Sequence, residues 1–80
     1  MEKSIFSQSY KIFLRRLRAA RKNANLSEAD VAIRLRKTQS FVSKCERGER
    51  RIDVIELRSF CKAIGISFAD FTRSLDGELK

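Results

Sequence analysis

The chain has 80 residues, 42% of them hydrophobic and 35% charged, with no histidine, no proline, three glycines and two cysteines. A single domain of this size buries about 60–65% of its unfolded surface, enough for a compact core but too little for an enclosed catalytic cavity. Without histidine, neither the usual zinc spacings nor a Ser-His or Cys-His nucleophile pair can be built. No metal site, cofactor or enzymatic activity is expected.

Eighteen Lys and Arg against ten Asp and Glu give a net charge of +8. The imbalance is uneven: seven basic and one acidic side chain fall in residues 1–25, six and four in 26–50, five and five in 51–80. Such asymmetry points to a polyanionic partner, either nucleic acid or an anionic membrane surface. No apolar run approaches the roughly 18 residues of a spanning helix. The first seven residues, Met1 to Ser7, lack the apolar core of a secretion signal. A cytoplasmic protein with reduced cysteines is expected.

The apolar periodicity is helical throughout. Phe6, Tyr10, Phe13, Leu14 and Leu17 recur every three or four residues, one face of a first helix running to about Asn23. Asn23-Ala24-Asn25 can end it, because Asn tolerates the left-handed conformation. Ser27 reads as the N-cap of a second helix, about Glu28 to Leu35, with Asp30 completing a short capping box and Leu26 and Val31 as a hydrophobic staple. Val31, Ala32 and Leu35 should be buried. After Arg36-Lys37-Thr38, Thr38 caps a third helix to about Arg47, and Gly48 occupies the left-handed position beyond it. A fourth helix spans about Asp53 to Ile64, with Leu57, Phe60, Cys61 and Ile64 inward and Gly65 closing it. Ser67 caps a fifth, with Asp70 at the capping-box position, Ile66 and Phe71 as staple, and Gly77 as its terminator. The expected architecture is an all-α five-helix bundle forming one domain over residues 1–80, with its core in 10–75.

Two charged residues fall on inward stripes, Arg21 after Leu17 and Glu46 beside Cys45. An unpaired buried charge costs several kcal/mol. Arg21 and Glu46 are therefore expected to meet as an ion pair tying the first helix to the third; the alternative leaves both solvated at the rim. Cys45 and Cys61 lie on core stripes, where free cysteine behaves as a small hydrophobe, with a redox switch as the alternative.

The second and third helices, joined by a three-residue turn, have the spacing of a DNA-binding helix-turn-helix over residues 27–47. With Val42, Cys45 and Glu46 inward, the third helix turns Gln39, Ser40, Ser43, Lys44 and Arg47 outward. These are mid-length donors and acceptors: Gln can bond adenine N6 and N7, Lys guanine O6 and N7, and Ser either base. Gln39, Ser40, Ser43 and Lys44 are the candidate base readers.

The segment Thr38-Gln39-Ser40-Phe41-Val42-Ser43-Lys44-Cys45-Glu46-Arg47-Gly48-Glu49-Arg50, together with Leu26-Ser27-Glu28-Ala29-Asp30-Val31-Ala32, resembles the helix-turn-helix of the Cro and phage-repressor family, also called the XRE family. The similarity runs from about Leu14 to Phe71. It implies the lambda-repressor-like five-helix fold, sequence-specific operator binding, usually as a two-fold dimer, and control of transcription. Family members typically place the counterparts of Gln39, Ser40 and Lys44 in the major groove and often pair those of Arg21 and Glu46. Three positions depart from the pattern. Arg36 stands where the family prefers a turn glycine, at a cost of about 1 kcal/mol if that residue is left-handed. Glu28 replaces a common Gln; its carboxylate suits the helix dipole but repels phosphate, so no DNA contact is assigned to it. Phe41 is large for an outward-leaning position and is expected to pack along the edge of the second helix, or else to meet a thymine methyl.

Lys37, Thr38, Arg47, Arg50 and Arg51 flank the reading helix and are the candidate phosphate contacts. Lys11, Arg15, Arg18 and Lys22 form a second stripe along the first helix that would steer association. Phe68, Phe71 and Leu75, with Leu79, make an apolar line suited to a homodimer interface; Ile5 and Ile12 offer a second surface, and the monomer core is the other destination for all of them. The expected function is a DNA-binding transcriptional regulator, a repressor for want of an evident effector domain. The alternatives are an antitoxin or restriction-control protein of the same fold whose main partner is another protein, and a basic amphipathic segment, residues 5–22, lying on anionic membranes.

Overall fold

The computed structural model describes residues 7–80; Ile5 and Phe6 lie outside the described residues. All regular structure among the described residues is helical: α1 Gln8–Asn23, α2 Glu28–Leu35, α3 Gln39–Arg47, α4 Val54–Ile64 and α5 Phe68–Leu79.

Each helix starts on a side chain that satisfies its otherwise orphaned N–H groups. Ser7 accepts from the Tyr10 N–H at 3.2 Å and Thr38 from the Phe41 N–H at 3.0 Å. Ser27 and Asp30 form a reciprocal capping box at 3.0 and 2.9 Å, and Asp53 and Glu56 form another at 2.7 and 3.0 Å. At α5 only the Ser67 half of the expected box is seen, at 3.1 Å; the Asp70 carboxylate accepts from Arg73 instead. Four of the five helix ends use left-handed backbone at or just past the cap: Asn25, Arg36, Gly48 and Gly65.

Gly77 does not terminate α5, which continues to Leu79. The reason is tertiary. Arg16 of α1 bonds Glu78 at 2.6 Å and also the Ser74 hydroxyl, holding the last turns of α5 against α1 and carrying the helix through its glycine.

Leu17, Val31, Val42, Cys45, Phe60 and Cys61 are completely or almost completely buried, surrounded by Phe13, Leu14, Leu57, Ile64 and Phe71. Burying a side chain of this kind contributes about 1.5–3 kcal/mol. Leu35, expected inside, is only half-buried. α2 packs on α3 and α4, α1 on α3 and α5, and α4 on α5. No helix of the described residues is long and apolar enough to cross a membrane.

Candidate nucleic-acid interface

The α2–α3 pair owes its geometry to a three-residue turn. Arg36 takes φ 59 and ψ 42, and the Lys37 N–H then reaches back to the Ala32 carbonyl at 2.9 Å, closing the end of α2 before Thr38 opens α3. α3 is two-sided. Val42, Cys45 and Glu46 are buried, whereas Gln39, Ser40, Lys44 and Arg47 are exposed. Ser43 falls between these sets: it is half-buried, and its hydroxyl donates to the Glu28 carboxylate at the first position of α2.

What holds α3 in place is a buried charge pair. Arg21 Nε meets Glu46 Oε2 at 2.7 Å and Nη2 meets Oε1 at 3.0 Å, while Nη1 donates to the Leu26 carbonyl at 2.9 Å. Arg21 is 8% and Glu46 2% exposed, so the rim alternative is ruled out. The hydrogen bonds to Glu46 raise the already high Arg21 pKa, and the guanidinium stays charged. Arg18 adds a bond to the Glu46 backbone carbonyl at 3.1 Å, which draws one member of the basic α1 stripe into fixing α3. Lys11, Arg15 and Lys22 remain exposed.

The flanking cations are ordered by neighbours rather than loose. Phe41 packs against α4, its ring stacked on Phe60 at 6.4 Å and 18°. It lies under Lys37 Nζ at 5.2 Å and the Arg50 guanidinium at 4.9 Å. The ring also lines a surface pocket with Leu35 of α2, and it forms a platform for cations beside α4, an arrangement favourable for charge over an aromatic face. Arg50 bonds both Glu56 oxygens at 3.0 and 2.8 Å and the Arg51 carbonyl at 2.9 Å. The Arg50 guanidinium, helped by the Asp53 N–H, holds the Glu56 carboxyl below the usual carboxylate range. Arg47 pairs with Glu49 at 2.8 Å. The Arg51 guanidinium sits 4.3 Å above the Tyr10 ring, and the Tyr10 hydroxyl accepts from the Ile52 N–H at 3.2 Å, tying the loop after α3 to α1.

A family model described as a helix-turn-helix domain matches residues 12–73. A solved structure of an XRE-family like protein from Pseudomonas syringae pv. tomato str. DC3000 is 38% identical, covers 98% of this chain and 95% of its own, and superposes with a TM-score of 0.89. This chain belongs to the XRE-type helix-turn-helix regulators. The clp gene regulator ClgR from C. glutamicum shares the fold at 24% identity and a TM-score of 0.77, covering 92% of this chain and 96% of that one. No curated protein matches.

Within this XRE-type domain, Arg36 adopts the left-handed conformation for which the family prefers glycine. Of the apolar line in α5, Phe71 is 7% exposed and meets Phe13 edge-on at 6.3 Å; the monomer core holds it because α5 lies across α1. Phe68 and Leu75 are half-buried against that core, and Leu79 is 39% exposed. The apolar face of α1 is likewise occupied, so a membrane-bound use of residues 5–22 would require opening the domain. Sequence reasoning missed the Tyr10 and Arg16 contacts and the bond from Arg34 to the Ala63 carbonyl at 2.8 Å. Tyr10 carried a signal: a tyrosine on an inward stripe calls for a partner at its hydroxyl. Arg16 and Arg34 gave none.

Proposed function

We propose that this protein is a sequence-specific transcriptional repressor that binds operator DNA as a homodimer, inserts α3 into the major groove, and acts by occupying its site. The observation that carries this reading is the two-sidedness of α3: one face locked to the core through Glu46 and Arg21, the other an exposed row of groups that match base edges. Gln39, Ser40, Ser43 and Lys44 read bases. Lys37, Thr38, Arg47, Arg50 and Arg51 contact phosphate, the last two carried by the loop that Phe41 and Tyr10 brace. These contacts set register and most of the salt dependence, and α3 sets sequence. The chain acts as one helix-turn-helix unit, and the dimer forms through α5, where Phe68, Leu75 and Leu79 retain apolar surface. Half-sites then lie roughly 34 Å apart.

Selection from a randomised duplex library at about 150 mM salt, which suppresses the purely electrostatic background, should enrich an inverted repeat. Gln39→Ala should weaken binding to that site by about 1–3 kcal/mol and leave random DNA nearly unaffected. Equal weakening on both would remove Gln39 from the base readers. No enrichment, with a protein that co-purifies instead, would favour the antitoxin-like alternative.

A further inference from the structure

Two adjoining hollows between α2 and α4 form one surface groove, because Leu35 and Ser59 line both. Leu35 is half-buried rather than buried because it forms part of this wall. The outer end, about 420 Å³, lies between Arg34 and Leu35 of α2 and Ser59, Lys62 and Ala63 of α4. Ile55 stands one turn before Ser59 on the same side of α4, its carbonyl accepting from the Ser59 hydroxyl at 3.3 Å; it is 70% exposed. From Ile55 to Ala63 the helix rises about 12 Å, the reach of roughly four extended residues. The charge along the groove is one-sided. Glu56 is the one carboxylate that lines it, and Arg50 already bonds both of its oxygens. Arg34 uses one donor on the Ala63 carbonyl at 2.8 Å, which pins its guanidinium over the end of α4, and Lys62 is exposed. Among the described residues neither pairs with a carboxylate.

We propose that the outer α2–α4 groove is a docking site for a partner protein, which enters it with a short acidic segment carrying large apolar side chains. The apolar side chains cover Leu35, Ala63 and the exposed Ile55, and the carboxylates pair with Arg34 and Lys62. A wholly apolar segment would strip water from two cations and leave them unanswered. A wholly acidic one would leave the apolar wall uncovered. Lys37 and Phe41 line only the inner end, so docking does not depend on how α3 or its flanking cations are used.

The test pans the protein against phage-displayed random peptides at about 150 mM salt, where distant surface charges are screened. The enriched peptides are then titrated by fluorescence anisotropy against the unaltered protein and three variants at exposed positions, with circular dichroism confirming that each is folded. The peptides should combine Asp or Glu with Leu, Phe or Trp. Ser59→Trp, which fills the groove without changing charge, should weaken them about tenfold or more. Lys62→Glu, which replaces an attraction by a repulsion, should weaken them about fivefold to tenfold. Lys22→Glu makes the same charge change on α1, outside the groove, and should cost less than about twofold. Enriched peptides without acidic residues overturn the inference, and so does equal weakening by Lys22→Glu and Lys62→Glu, which would show net charge alone at work. If Ser59→Trp leaves the peptides bound but lowers the oligomeric state in sedimentation, a second copy covers the groove. If it weakens DNA binding instead, the groove belongs to the DNA surface. Either result also overturns the inference.

Discussion

Arg21 and Glu46 each satisfy the other's charge in a place where neither could remain alone. Two charges taken out of water are stabilising together only if their hydrogen bonds are complete, and here two bonds join the pair while a third ties Arg21 to the Leu26 carbonyl. Arg21→Met should destabilise the fold by about 3–5 kcal/mol by leaving a carboxylate buried without a partner, a large share of the 5–15 kcal/mol typical of a domain. The double variant Arg21→Met/Glu46→Leu should recover at least half of that loss, both read from urea unfolding midpoints. Arg36 is a smaller liability of another kind. Its left-handed backbone costs a side-chain-bearing residue about 1 kcal/mol relative to glycine. Arg36→Gly should therefore raise the thermal midpoint by about 4–8 °C in a domain of this size.

At the level of helices, the three glycines separate cleanly. Gly48 holds φ +83, and an added Cβ would lie 3.2 Å from Leu14 Cδ1; Gly48→Ala should cost about 1–2 kcal/mol from the left-handed backbone alone. Gly77 lies inside α5 with nothing within 4 Å of an added Cβ, so Gly77→Ala should stabilise by up to about 1 kcal/mol through helix propensity. The same calorimetric comparison checks both signs. This contrast also shows which features the sequence could reveal. The starts at Ser27, Thr38 and Ser67 were legible because these side chains act locally on N–H groups three residues away, whereas Asp53, read as the first residue of α4, is its cap. Gly77 was misread because its fate depends on Arg16, some sixty residues earlier in the chain. Arg21 and Glu46 could be paired from their stripes alone, since few other residues could answer a buried charge. That Phe41 also stacks on Phe60, and that Ser43 turns toward Glu28, depend on how α2, α3 and α4 are oriented together, and no local pattern encodes that. The fold and the exposure of Gln39, Ser40 and Lys44 on α3 were thus readable, while the partners of individual side chains were not.

The molecule as a whole carries +8, so acid adds repulsion to a surface already short of counter-charge. Glu28, Glu49 and Glu56 have pKa values lowered from 4.5, each through a hydrogen bond named above, to Ser43, Arg47 and Arg50 respectively. A depressed carboxyl contributes stability that is fully present above its unfolded pKa and is lost as pH falls through the lower folded value. Stability should therefore hold near neutrality and begin to decline as pH drops toward about 4.5. Glu56→Gln keeps the helix cap but loses the pairing with Arg50. It should be less stable than the unaltered protein at neutral pH and converge with it in acid, as thermal midpoints measured across that range would show. The two-sidedness of α3 has one more consequence. Exposed side chains away from core contacts usually change stability by less than about 0.5 kcal/mol when replaced, and Gln39, Ser40 and Lys44 are of that kind. If α3 reads DNA as proposed, the address it recognises can thus be rewritten almost without charge to the scaffold that carries it. Ser43 is the exception, because altering it also disturbs the neighbouring helix.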